Sequence, residues 1–73
     1  MKIGMVTGEV PLRRSAQVLE NARFVTVKVG LDEFTALDLV EAQAGDMVLV
    51  QTGEAAAKCA VAFPVDAAVV GIL

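Results

Sequence analysis

Cys59 is the single thiol of this chain, and with no histidine anywhere it lacks the base that would make it a nucleophile. It lies in the run Lys58-Cys59-Ala60-Val61, the setting of a small core residue. Carboxylates could serve as general acid and base, but the nine present are spread along the chain. The tightest pair, Asp32-Glu33, falls in a polar turn where both groups would be solvated. Gly53, followed by Glu54 and an alanine run, looks like a helix N-terminus open to an anion. It lacks the lysine of a phosphate loop, however, and Glu54 would repel the ligand. Phe24, Phe34 and Phe63 could stack on single-stranded bases, yet no basic groove accompanies them and core packing accounts for them better. One thiol and no histidine cannot build a tetrahedral zinc site. The residue inventory therefore predicts no catalytic residue, no cofactor and no metal. The chain does not read as an enzyme.

Composition gives a second constraint. Seventy-three residues make one domain, spanning 1–73, and a domain this small buries only ~60% of its unfolded surface. Such chains need a disulfide, a metal or a partner, and the first two are excluded by the inventory above. A hydrophobic fraction of 56% against 21% charged residues points to association. The net charge of −3 and a pI near 4.6 argue against nucleic acid, which selects a basic face. No charged region leads from Met1-Lys2 into an apolar run, so no secretory signal is expected, and one cysteine fits a reducing cytoplasm. Ala55 to Leu73 is long enough to cross a bilayer, but Asp66 near its middle costs ~2.5–3.5 kcal/mol and Pro64 interrupts a helix. No membrane is expected as a partner.

The elements that would position these residues are mostly short strands. Lys2 to Val10 alternates loosely, with Ile3 and Met5 on one side and Gly4 and Val6 on the other, and Gly4 and Gly8 mark bends or close packing. Pro11 to Ala22 is polar around Val18 and Leu19; it reads as a surface loop with Leu19 tucked inward and Arg13-Arg14 solvated. Arg23 to Val29 is the clearest strand, with Val25, Val27 and Val29 on one face and Phe24, Thr26 and Lys28 on the other. Gly30 to Glu33 reads as a turn, Phe34 to Asp38 as a third strand, and Leu39 to Asp46 as a connector ending in a turn at Ala44-Gly45-Asp46. Met47 to Val50 is an unbroken apolar run, which predicts a strand buried on both faces. Gly53 to Ala60 is the one helical stretch: alanine-rich, with Glu54 at its positive end and Lys58 four residues on. The last segment, Pro64 to Leu73, carries the β-branched Val69, Val70 and Ile72 among small residues, and predicts a strand hidden on both faces. Five short strands and one small helix in so few residues predict a closed or nearly closed β-barrel.

Three stretches also match a known pattern: Lys2-Ile3-Gly4 with Val6, Gly8 and Val10; Gly45-Asp46 with Val48-Leu49-Val50, Gly53 and Ala55-Ala56; and Pro64-Val65-Asp66-Ala67-Ala68-Val69-Val70-Gly71-Ile72. In this order, over nearly the whole chain, they resemble the EutN/CcmL family, the pentameric vertex proteins of bacterial microcompartment shells. The resemblance implies a mainly β fold, a small five-stranded OB-like barrel with one short helix. It implies a homopentamer at the fivefold vertices of a shell otherwise tiled by hexameric shell proteins, in the cytoplasm, doing no chemistry itself. Three features depart from the pattern. Val40-Glu41-Ala42-Gln43-Ala44-Gly45 keeps only the last glycine of a glycine-rich run, Cys59 to Phe63 is short and apolar, and no acidic tail follows Leu73.

On that reading Gly45, Gly53 and Glu54 are candidates for the axial mouth of the ring. Ala56 and Cys59 of the helix, with Val69, Val70 and Ile72 of the last strand, are candidates for the subunit interface. The rival reading is an OB-type binding module for single-stranded nucleic acid or oligosaccharide, which a salt-dependent shift with single-stranded DNA would favour. A third, a small regulatory or carrier subunit, lacks a modifiable lysine in a characteristic turn.

Overall fold

The computed structural model describes residues 1–11, 22–53 and 67–73. Within them the chain forms five strands: β1 Lys2–Val10, β2 Phe24–Val29, β3 Asp32–Asp38, β4 Met47–Thr52 and β5 Ala67–Ile72. They close into a barrel in the order β1-β2-β3-β5-β4, the strand order of a five-stranded OB-type barrel. Every pairing is antiparallel except β3 with β5, which run parallel through Leu37↔Ala68 and Asp38↔Val69. Residues 12–21 of the expected loop, with Arg13, Arg14 and Leu19, and residues 54–66, which include the expected helical stretch after Gly53 and Phe63 to Asp66, lie outside the described residues. Among the described residues no helix is long and apolar enough to cross a membrane.

Closure depends on β1. Its first half, Lys2 to Met5, pairs with β4, and its second half, from Met5 to Val10, pairs with β2. The register shifts between Val6 and Gly8, a bulge that bends the strand as it passes from one neighbour to the other. Thr7 sits at that bulge, and its Oγ1 lies 2.7 Å from Thr26 Oγ1 and donates to the Thr26 carbonyl at 3.2 Å. Gly4 is where the walls come closest. A Cβ there would stand 2.8 Å from Val27 Cγ1 and from Val29 Cγ2, and 2.9 Å from the Lys28 carbonyl oxygen. Only glycine lets β1 approach β2 at this point.

The β2–β3 hairpin follows from its two-residue loop. Val29 pairs with Asp32, Gly30 has φ +60°, and Leu31 projects into solvent with 100% exposure. Glycine with positive φ at the first central position is the type II′ arrangement, whose twist matches the flanking strands. The turn is therefore shorter than the expected Gly30–Glu33. Asp32 and Glu33 belong to β3, because Val29↔Asp32 and Lys28↔Glu33 complete the ladder. The valines alternate inward as the sequence predicts, and Val25 and Val27 are fully buried.

The interior is filled by small β-branched and alanine side chains. Its largest fully buried members are Val6, Val25, Val27, Val48, Val50 and Val69. Ala36, Ala42 and Ala67 complete this cluster, with Val29, Phe34 and Val40 packed against it. A second cluster, Leu37 and Ala68 with Ala22, Phe24 and Val70, lies apart from the first. Phe24 and Phe34 are thus packing residues. The expectation for β4 is corrected: Val48 and Val50 are buried, but Met47 is 45% exposed and Leu49 only half-buried, so one face of this strand is open. β5 is hidden on both faces from Ala67 to Val69 and then emerges, leaving Ile72 exposed.

Candidate functional site

Among the described residues no group of three or more histidine, cysteine or carboxylate side chains is placed to hold a metal. Among the described residues one dense polar cluster is centred on Arg23. Arg23 immediately precedes β2, and hairpin register sets it beside Asp38 at the end of β3, whose N–H donates to the Arg23 carbonyl at 2.7 Å. The Asp38 side chain is fully buried, with Oδ2 3.4 Å from Arg23 Nε. Neither atom makes an aligned hydrogen bond, so this contact compensates charge rather than directing a proton. Asp38 Oδ1 accepts from the Val40 N–H at 3.1 Å, Arg23 Nη2 donates to the Ala42 carbonyl at 2.7 Å, and Glu9 Oε2 lies 3.6 Å from Nη2. The cluster fastens the Leu39–Asp46 connector to the barrel. It also holds Glu41, a non-glycine residue at φ 56°, in place between Val40 and Ala42. Arg23 Nε and Asp38 Oδ2 face each other as an ion pair without an aligned hydrogen bond, and the remaining contacts tie the connector to the barrel, so the arrangement is structural.

A second feature lies on the outer surface of β1, β4 and β5. Strand register sets Ile3, Leu49 and Gly71 in one row across the three strands, and Met5 and Met47 in the next. Leu73 extends that second row, its N–H donating to the Met47 carbonyl at 2.9 Å. Because Gly4, Val6, Val48 and Val50 point inward, the alternating residues must point out. Ile3 is 57% exposed, Met5 39%, Met47 45% and Leu73 66%. Within β1, β4 and β5 the two rows contain no charged side chain, and exposed Lys28 of β2, paired with Met5, borders the second row. Monomeric soluble proteins rarely leave such contiguous apolar surface uncovered.

The residues expected at a site are dispersed. Val69 lies in the core at 0% exposure and offers no surface to a neighbour, because it pairs with Val50 on the inner face. The register shift between Leu49 and Val50 follows, so that Gly71 rather than Val70 pairs with outward Leu49. Val70 is half-buried against the second cluster, and Ile72, paired with Val48, is 46% exposed at the barrel's end. Gly45 and Gly53 both have positive φ, +95° and +65°, as turns require. They flank opposite ends of β4, however, and a six-residue strand spans roughly 17–20 Å. The structure does not bring them together. Glu54, Ala56 and Cys59 lie outside the described residues. Sequence reasoning missed Met47 and Leu49, which it placed in a strand buried on both faces, and the Arg23–Asp38 pair. The signal for the pair was available: once Gly30-Leu31 is read as a two-residue loop, counting back along both strands sets these residues side by side.

Comparison with known proteins adds an independent line. The family model EutN_CcmL, described as ethanolamine utilisation protein EutN/carboxysome, matches residues 1–73. Among solved structures, the GrpN pentameric microcompartment shell protein from Rhodospirillum rubrum superposes with a TM-score of 0.82 at 28% identity, over 100% of this chain and 93% of that one. CcmL of Gloeobacter violaceus gives 0.84 at 29% identity, over 100% and 84%. EutN from Escherichia coli gives 0.83 at 26% identity, over 100% and 85%. No curated protein matches the chain by sequence.

Proposed function

The chain belongs to the EutN_CcmL family, and from that premise we propose that five copies form a ring that closes the fivefold vertices of a bacterial microcompartment shell. It is a structural shell component and not an enzyme. A sheet tiled by hexamers is flat, and a closed polyhedron needs pentagons at its corners. The ring supplies them, in the cytoplasm, next to hexameric shell proteins.

The observation that carries this reading is the distribution of side-chain size. The barrel interior holds valine and alanine, while Ile3, Met5, Met47 and Ile72 stand outside. A five-stranded barrel has a narrow interior, so its largest apolar groups gain burial only through association. A ring contact is heterologous and is closed by rotation, and an obligate one should bury well over ~1,000 Å² in total. Val70 and Ile72 remain available to it on β5, and Ala56 and Cys59 stay within the same proposal. Gly45, before β4, and Gly53 with Glu54, after it, remain the candidates for the axial mouth of the ring. The alternative of a nucleic-acid or oligosaccharide module finds no support in the family match.

Native mass spectrometry at micromolar protomer concentration tests the ring. The expected result is a species at five times the 7.6 kDa protomer mass. A monomer or a two-fold dimer as the main species overturns the proposal.

A further inference from the structure

We propose that the outer face of β1, β4 and β5 is the surface by which each copy of this chain docks onto the next. The inference rests on the ring reading above and specifies its contact. The face is formed by Ile3, Met5, Met47, Leu49 and Gly71 in two adjacent rows, with Leu73 beside Met47. Its apolar side chains cannot retreat inward. The opposite parity of the same strands is occupied by Val6, Val48 and Val50 at 0–1% exposure, and at Gly4 even one added carbon would clash. A one-residue slip that buried Ile3 and Met47 would expel those valines.

Three observations identify the occupant as another copy. The 73-residue chain has a single cysteine, hence no intrachain disulfide, so apolar burial must come from association. The side chains of the two rows on β1, β4 and β5 are uncharged and the nearest charge, Lys28 beside Met5, lies at their edge, which suits an apolar interface centre with a polar rim. The same barrel, at full coverage of this chain, occurs in a protein described as a pentameric shell protein. In a closed ring this face meets a different surface of its neighbour, not itself.

Gly71 gives the contact its shape. Strand register sets it across from Leu49, with no side chain of its own in the row. A Cβ built there meets only Leu49, at 3.5 Å, an ordinary contact, so the folded chain tolerates a larger residue at this position. Such a residue would stand out from the face and hold a neighbour away.

The test uses the full chain with Met47→Lys and, separately, Gly71→Tyr. The wild-type mass is read first: absence of the five-fold species there refutes the ring itself and is scored against that reading alone. Given a wild-type ring, both variants are expected to keep the β-sheet circular dichroism of the parent and to associate at least about tenfold more weakly. A variant that assembles with wild-type concentration dependence overturns the inference. A measurement on the unaltered protein covers the case of a variant that fails to fold. The chain has three methionines, Met1, Met5 and Met47, exposed by 70%, 39% and 45% in the single subunit. Under dilute peroxide, Met5 and Met47 in the ring are expected to form sulfoxide about tenfold more slowly than Met1. Oxidation of all three within about twofold, as their single-chain exposures imply, overturns the inference.

Discussion

Replacing Gly4 by alanine adds one carbon where the barrel has no space. The new Cβ would lie 2.8 Å from two valine methyl groups and 2.9 Å from the Lys28 carbonyl oxygen. The methyl groups belong to Val27 and Val29, held inside a closed barrel, and the carbonyl belongs to the backbone, so neither can yield without loosening the β1–β2 pairing. Overpacking of this kind costs about 1–3 kcal/mol. Loss of glycine freedom from the unfolded chain offsets about 0.4–1 kcal/mol. The net expectation is a destabilisation of about 1 kcal/mol. Gly8→Ala supplies the comparison, since its Cβ would meet only Thr26 Oγ1, at 3.5 Å. There the unfolded-state effect acts alone, and the variant should be neutral or more stable by up to about 1 kcal/mol. For a domain of this size the two variants should differ in Tm by roughly 5–15 °C. Thermal unfolding followed by circular dichroism reads the difference, at one fixed protomer concentration because assembly is linked to stability. Midpoints within about 3 °C of each other would refute the steric argument.

Arg23→Ala should destabilise by about 3 kcal/mol, because it leaves the fully buried Asp38 carboxylate without its counter-charge. Urea unfolding measures it, and a loss below about 1 kcal/mol would show that Asp38 does not need the guanidinium. Glu9→Gln should change stability by less than about 1 kcal/mol, its side chain being 61% exposed and its contact with Arg23 3.6 Å long; a larger loss in the same titration would count against that. Gly30→Ala should cost about 1–2 kcal/mol through its positive φ, whereas Leu31→Ser at the same hairpin tip should leave the unfolding midpoint unchanged. Equal effects of these two substitutions would argue against the type II′ turn.

Much of the fold is legible in the chain because a strand has a period of two. The Val25, Val27 and Val29 alternation fixes the inner face of β2 without any tertiary information, and the glycines of β1 mark its contact with β2 correctly. Met47-Val48-Leu49-Val50 is less legible. An unbroken apolar run looks the same whether its second face meets its own chain or another copy, since both remove it from water. The outward side chains of β5 are hard to assign for a related reason. A register shift between Leu49 and Val50 changes which residue of β5 sits opposite outward Leu49, and local sequence holds no sign of such a bulge. Val69, a candidate for the subunit contact within a strand read as hidden on both faces, lies in the core, whereas Met47, read as buried, is 45% exposed. The Arg23–Asp38 pair was within reach, because a two-residue hairpin loop determines its own register. A turn running to Glu33 hides it, because the ladder then loses the Val29↔Asp32 and Lys28↔Glu33 pairs that set the count.

The parallel contact between β3 and β5 has a consequence for how the barrel assembles and breathes. It joins strands far apart in the chain through two partner pairs, with the Leu39 N–H to Val69 carbonyl bond of 3.2 Å beside them. β1, β2 and β3 pair in sequence, so they carry little loop-closure cost and can zip locally, while this last stitch waits for β5. Amide protons on either side of it should exchange with solvent sooner than those of Val25 and Val27, whose strand is laced to a neighbour along both edges. A vertex that must survive the flexing of a shell would then yield first along this one line, and reseal there.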